Sequence, residues 1–193
     1  PARARGNLSQ AEPILKLLVQ SKTELAEVYR DLASLYESQQ RLEESLVCRD
    51  LWLDHPSEDE TELLRQAEAA EHLGRKQTAA TLFEVMLERG PKLQSSRIAV
   101  LRQLMLQECF LEARSHIESW FGQTCDSEVL ELLSICAVEL KESELACRLA
   151  QSSLQERSSA VAHAVLAAAL QCKFREREAY DHLKTSITLC SDP

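Results

Sequence analysis

Apolar residues in this chain recur at helical intervals. In TELAEVYRDLASLYES (23–38), Leu25, Val28, Tyr29, Leu32 and Tyr36 stand three or four apart, so that they share one stripe of a 3.6-residue helix. SSRIAVLRQLMLQ (95–107) and SAVAHAVLAAALQ (159–171) repeat the pattern with denser apolar faces. Polar residues suited to cap a helix stand near many of the starts: Asp59-Glu60-Thr61, Ser95-Ser96, Asp126-Ser127 and Ser158-Ser159. Such side chains accept hydrogen bonds from first-turn N–H groups that have no partner inside the helix. Gly90-Pro91 ends one helix and blocks its continuation. The pattern predicts an all-α chain built as helix A, short turn, helix B, short turn.

The helices repeat. Small residues occupy one column at Ala11, Ser45, Ala79, Ala113, Ala146 and Ala179, spaced by 34, 34, 34, 33 and 33 residues. A second column runs in phase twelve residues earlier, at Ala33, Ala67, Leu101, Ser134 and Ala167. The unit from Glu60 shows what the spacing requires. Gly74 lets the chain reverse sharply between two helices. Ala67 and Ala79 let those helices approach closely, Phe83 fills the space at their crossing, and Pro91 closes the unit.

At Ala67, Gly74, Ala79, Phe83 and Pro91 the chain resembles the tetratricopeptide repeat, which carries a small residue, glycine, alanine, an aromatic and proline at these five positions. The resemblance covers nearly the whole sequence. It implies one helical-repeat domain over 1–193: a trailing helix of a preceding repeat in 1–25, then repeats near 26–59, 60–93, 94–126, 127–159 and 160–193. The fourth and fifth repeats lack the turn glycine and the closing proline. The implied architecture is a right-handed superhelical solenoid of antiparallel helix pairs with a concave face lined by the A helices. A HEAT-like array fits less well, since its units are usually longer.

Composition agrees with helix and limits the chemistry. Only 5% of residues are aromatic, and glycine and proline are too few to punctuate a β-sandwich. The net charge of −9 opposes a phosphate backbone. Arg3 and Arg5 are isolated, and Lys173, Arg175 and Arg177 alternate with Glu176 and Glu178 as a solvated helix face. No run is long and apolar enough for a membrane span, and no signal-peptide pattern opens the chain. The seven cysteines, an odd number with no CxxC, read as small buried thiols in a reducing compartment. The chain begins on Pro in mid-pattern, and the expectation is a piece of a longer intracellular protein, nuclear or cytoplasmic.

Enzyme chemistry has no support in these residues. There is no phosphate-binding glycine loop, GxSxG or HExxH, and none of the five histidines joins a zinc motif. The expected catalytic residues, metal ligands and cofactors are therefore none. Trp52 and Trp120, at equivalent places late in B helices, read as packing between successive repeats.

The resemblance implies a groove that receives a partner segment. Its groove-facing positions fall on Glu27, Arg30, Ser34, Glu37 and Ser38, then Thr61, Leu64, Glu68, Glu71 and His72. They continue through Ser95, Ile98, Arg102, Met105 and Leu106 to Glu128, Glu131, Ile135, Val138 and Glu139, ending at Val161, Ala164, Ala168, Gln171 and Cys172. The candidate partner-binding residues are Glu27, Arg30, Glu37, Leu64, Glu68, Glu71, Ile98, Arg102, Met105, Glu131 and Ile135. Seven carboxylates against two arginines favour a protein or peptide that carries Lys or Arg beside apolar anchors. The Lys and Asn clamp by which chaperone-binding members hold a terminal carboxylate is not present. The expected function is a scaffold within a multiprotein complex. The alternative is a structural segment whose groove is filled by its own chain or another subunit.

Overall fold

The computed structural model of the protein describes residues 12–20, 25–122 and 126–191. Gly6, Ala11, Arg3, Arg5, Cys125 and much of the 1–25 segment lie outside these. The described residues form eleven helices and no strand. They are α1 (12–20), α2 (Leu25–Ser38), α3 (Leu42–Asp54), α4 (Glu60–His72), α5 (Lys76–Arg89), α6 (Gln94–Leu106), α7 (Phe110–Phe121), α8 (Ser127–Glu139), α9 (Ser143–Glu156), α10 (Ala160–Cys172) and α11 (Glu176–Ser191). The chain divides into two compact units, Pro1–Val100 and Leu101–Pro193, with the division inside α6.

In the first unit, Leu15 and Val19 of α1 pack on Val28, Leu32, Ala33 and Tyr36 of α2 and Cys48 of α3. Polar groups tie the next pair to them. The Gln66 amide is fully buried on α4, yet it donates to the carbonyls of Trp52 and His55 and accepts from the Ser57 N–H. All its hydrogen-bonding groups are answered, which removes most of the cost of burying them. Glu62, also buried on α4, accepts from the Arg30 guanidinium, from the Trp52 indole N–H at 3.1 Å and from Arg65 at 3.4 Å.

In the second unit, Ala137, Ala146, Cys147, Ala150, Val165, Leu166, Ala169 and Leu170 form one core across α8, α9 and α10, closed from α11 by Ala179. Alanines dominate because these helices approach closely. Ser153 and Ser186, at matching places on α9 and α11, donate to the carbonyls of Ser127 and Ala160 at the starts of α8 and α10.

Both sequence columns are buried: Ser45, Ala79, Ala113, Ala146 and Ala179 on the B helices, and Ala33, Ala67, Leu101, Ser134 and Ala167 on the A helices. Asp59, Asp126 and Ser159 cap α4, α8 and α10 by accepting from N–H groups three residues on. Ser95 and Ser96 do not cap. Helix α6 already begins at Gln94, which puts both serines in its first turn. The Glu60 carboxylate instead accepts from the Lys92 and Leu93 N–H groups, each at 2.9 Å, just ahead of that helix.

The turns between A and B helices follow one rule with or without glycine. Gln40, Gly74, Glu108, Lys141 and Phe174 all have positive φ, from 58° to 71°. The N–H of each donates three residues back, and the next N–H donates five residues back, as from Arg75 to Ala70 and from Glu142 to Ala137. This is the Schellman arrangement, which satisfies the open carbonyls at a helix C-terminus. The missing glycines of the later repeats therefore leave the turn geometry unchanged, and four ordinary residues occupy a left-handed conformation.

Candidate functional site

The second unit carries a cleft of about 720 Å³. Its walls come from Arg102, Met105 and Leu106 at the end of α6, from Phe110 starting α7, and from one face of α8. Along α8 the lining residues are Glu128, Glu131, Leu132, Ile135 and Glu139, spaced as a single helical stripe. The face that adjoins this stripe, with Val129, Cys136 and Ala137, is buried, which fixes the rotation of the helix. Arg157, Ser159 and Val161 close the far side. Leu132, Ile135, Met105, Leu106, Phe110 and Val161 make the surface chiefly apolar.

Charges sit at the rim and on the floor. Arg102 pairs with Glu128 at 2.6 Å on the exposed rim. Glu139 is exposed and has no ion pair with a described residue. Glu131 is different: it is only 8% exposed. Its Oε1 lies 3.5 Å from the Ser153 hydroxyl and 3.8 Å from Arg157, and the latter side chain is itself 65% exposed. Among the described residues no other hydrogen-bond donor or ion-pair partner reaches that carboxylate.

Of the eleven candidate residues, the structure brings Arg102, Met105, Glu131 and Ile135 together in this cleft. The other seven belong to the first unit. Leu64 and Ile98 are buried and leave little surface to a partner. Arg30 bridges Asp31 and Glu62, Glu37 pairs with Arg49, and Glu27 accepts from the Ser57 hydroxyl. Glu68 and Glu71 stand exposed without an ion pair to any described residue. The surplus of groove carboxylates is thus smaller than the sequence suggests, since Arg49 and Arg157 reach in from outside the A helices. Sequence reasoning missed Arg157 and Ser159 because it considered A-helix positions alone, and missed Phe110 because that residue opens a B helix.

Other candidate chemistry is sparse. His163 and His182 face each other across α10 and α11 with Nδ1 atoms 2.9 Å apart. Trp120 stacks on His116, with ring centroids 4.6 Å apart. Cys48, Cys136 and Cys147 are buried, Cys109 is half-buried, and Cys172 and Cys190 are exposed, so burial does not extend to every thiol. Among the described residues no group of three His, Cys, Asp or Glu side chains is placed to hold a metal ion, and no helix is long and apolar enough to cross a membrane.

No family model matches the sequence, and no curated protein matches it significantly. Solved structures do match. MamA from Desulfovibrio magneticus RS-1, in a form running from residue 41 to its end, aligns with a TM-score of 0.63 at 20% identity, covering 86% of this chain and 95% of that one. YrrB, described as a TPR protein with an unusual peptide-binding site, aligns at 0.63 and 18% identity over 92% of this chain and 93% of its own. A tetratricopeptide repeat protein from Parabacteroides merdae aligns at 0.58 and 15% identity, covering 97% of this chain and 74% of that one. These likenesses, together with the chain's own helix pairs, buried columns and uniform turns, show that the chain has the tetratricopeptide-repeat fold.

Proposed function

We propose that this chain is a non-enzymatic protein-interaction scaffold, and that it holds a segment of a partner protein in the cleft of its second unit. The observation that carries the reading is the apolar wall of Met105, Leu106, Ile135 and Val161, half-buried to exposed, that lines the cleft. Apolar surface gathered in a concavity, with a few polar groups at its edge, is the usual form of a recognition site. YrrB, of the same fold, is described by its peptide-binding site, which supports a peptide or protein as the partner class. The partner segment is basic as well as apolar, and the scaffold works within a larger intracellular complex. Neither nucleic acid nor a membrane is its ligand, in keeping with the net charge of −9.

Selection from a random-peptide display library tests this. Selected peptides bind the native chain and lose binding to Ile135→Arg, which fills the cleft with a long charged side chain. Helical circular dichroism shows that the variant is folded. Peptides that bind both forms equally would remove the cleft from the account.

One observation favours self-association as a second reading. Tyr180, Leu183 and Ile187 form an exposed stripe on α11, and Tyr180 is 67% exposed. Their counterparts one repeat earlier are covered: Cys147 and Ala150 lie in the core that α9 shares with α10, and Leu154 packs against it. In this reading a second copy covers the stripe. Sedimentation then shows a concentration-dependent dimer that Tyr180→Ser/Ile187→Ser abolishes, and a monomer at all concentrations would contradict it.

A further inference from the structure

Glu131 and Glu62 are both buried carboxylates on A helices, and their surroundings differ in kind. Glu62 accepts from three donors, a guanidinium, an indole N–H and a second arginine, and so serves as a structural tie. Glu131 has one hydroxyl at 3.5 Å and one guanidinium at 3.8 Å. A carboxylate with little access to water gains more from close donors than an exposed one does. Ordinary charge-assisted contacts lie at about 2.7 to 2.9 Å. Glu131 thus stands on the floor of an apolar cleft with its hydrogen-bonding capacity largely unused.

From this we infer that Glu131 is the cation seat of the cleft: it receives a Lys or Arg of the bound segment, while large apolar residues beside that cation pack on Leu132, Ile135, Met105 and Val161. The inference rests on the cleft being the binding site and specifies what it reads. Arg157 acts as a resident competitor. Its side chain is mostly exposed and already near the carboxylate, so an incoming cation takes its place and Arg157 swings into solvent. The rim adds little discrimination, because Glu128 is already neutralised by Arg102. Glu139 offers a second, more exposed negative charge further along α8. A ligand carboxylate placed on the floor would meet Glu131 and be repelled.

The display-selected peptides provide the probe. The selected sequences share one Lys or Arg next to large apolar residues. For the tightest of them, Glu131→Gln raises Kd by about tenfold or more, the effect of removing a charged hydrogen-bond partner. Gln keeps the shape and the approach to Ser153, so a merely structural Glu131 leaves Kd unchanged. Arg157→Ala lowers Kd about two- to fivefold by removing the competitor. From the ligand side, replacing the shared cation by norleucine reproduces the loss on the native chain, which decides the matter should Glu131→Gln fail to fold. Peptides that depend on Ile135 but carry no shared cation, or that are indifferent to Glu131→Gln and norleucine, would overturn the cation seat and leave the cleft as an apolar binding site. Peptides indifferent to Ile135→Arg as well would overturn both.

Discussion

Ser45 stands in the column where the other described B helices carry alanine, and its buried hydroxyl has no hydrogen-bond partner. A stranded hydroxyl is penalised by its lost hydration. Ser45→Ala therefore stabilises the chain by about 1 kcal/mol, read as a higher denaturation midpoint. The cysteines differ as sharply from one another. Burial pushes the Cys136 thiol up to about 11, so almost no thiolate is available to attack a reagent. Under native conditions iodoacetamide labels the exposed Cys172 and Cys190 and spares Cys136, which reacts only after unfolding; mass spectrometry of the digested protein checks this. The small-residue column was plain in the sequence because it is a matter of spacing. Glu131 was legible as a groove position, but its burial and its distant partners were not, since they depend on Arg157 and Ser153 arriving from another helix and its end.

At the scale of the element, the turn geometry outlasts the residue that announces it. Gly74 marks the left-handed position in sequence, whereas Gln40, Glu108, Lys141 and Phe174 give no such signal there. Those turns are held by two hydrogen bonds each and by helices already packed together. Gly74→Ala loses about 1 kcal/mol through backbone conformation alone, because the added Cβ meets nothing within 4 Å. Phe174, 90% exposed at φ 58°, gains by the opposite change. Phe174→Gly raises the midpoint of thermal unfolding, and an unchanged or lower value would mean that Phe174 makes contacts worth more than the strain. The helix starts were read with mixed success for a physical reason: Asp59, Asp126 and Ser159 cap through their own side chains, while α6 begins beside the carboxylate of Glu60, far away in sequence. The α10 and α11 pair adds a pH dependence. Burial first, and the charge of His182 second, hold the His163 ring below its ordinary 6.5. The fold thus prefers the neutral ring, and the unfolded chain takes up more protons as pH falls through 6.5, so stability is lost on the acid side. Melting temperatures measured above and below that value fall with acid in the native chain and fall less in His163→Gln.

For the molecule as a whole, the period visible in the sequence is expressed as helix pairs in two compact units, and the fold follows from spacing with little help from any special residue. The recognition surface was harder to read. A count of groove carboxylates gave a net acidic face, whereas ion pairs from Arg49, Arg102 and Arg157 cancel part of it and leave an apolar cleft with one buried, under-partnered carboxylate in the second unit. Hydrogen–deuterium exchange with and without a display-selected peptide tests this most directly. The account predicts protection over the lining segments at 102–110, 128–139 and 157–161, absent in Ile135→Arg. Protection confined to the first unit around Glu68 and Glu71, or to α11, would contradict it.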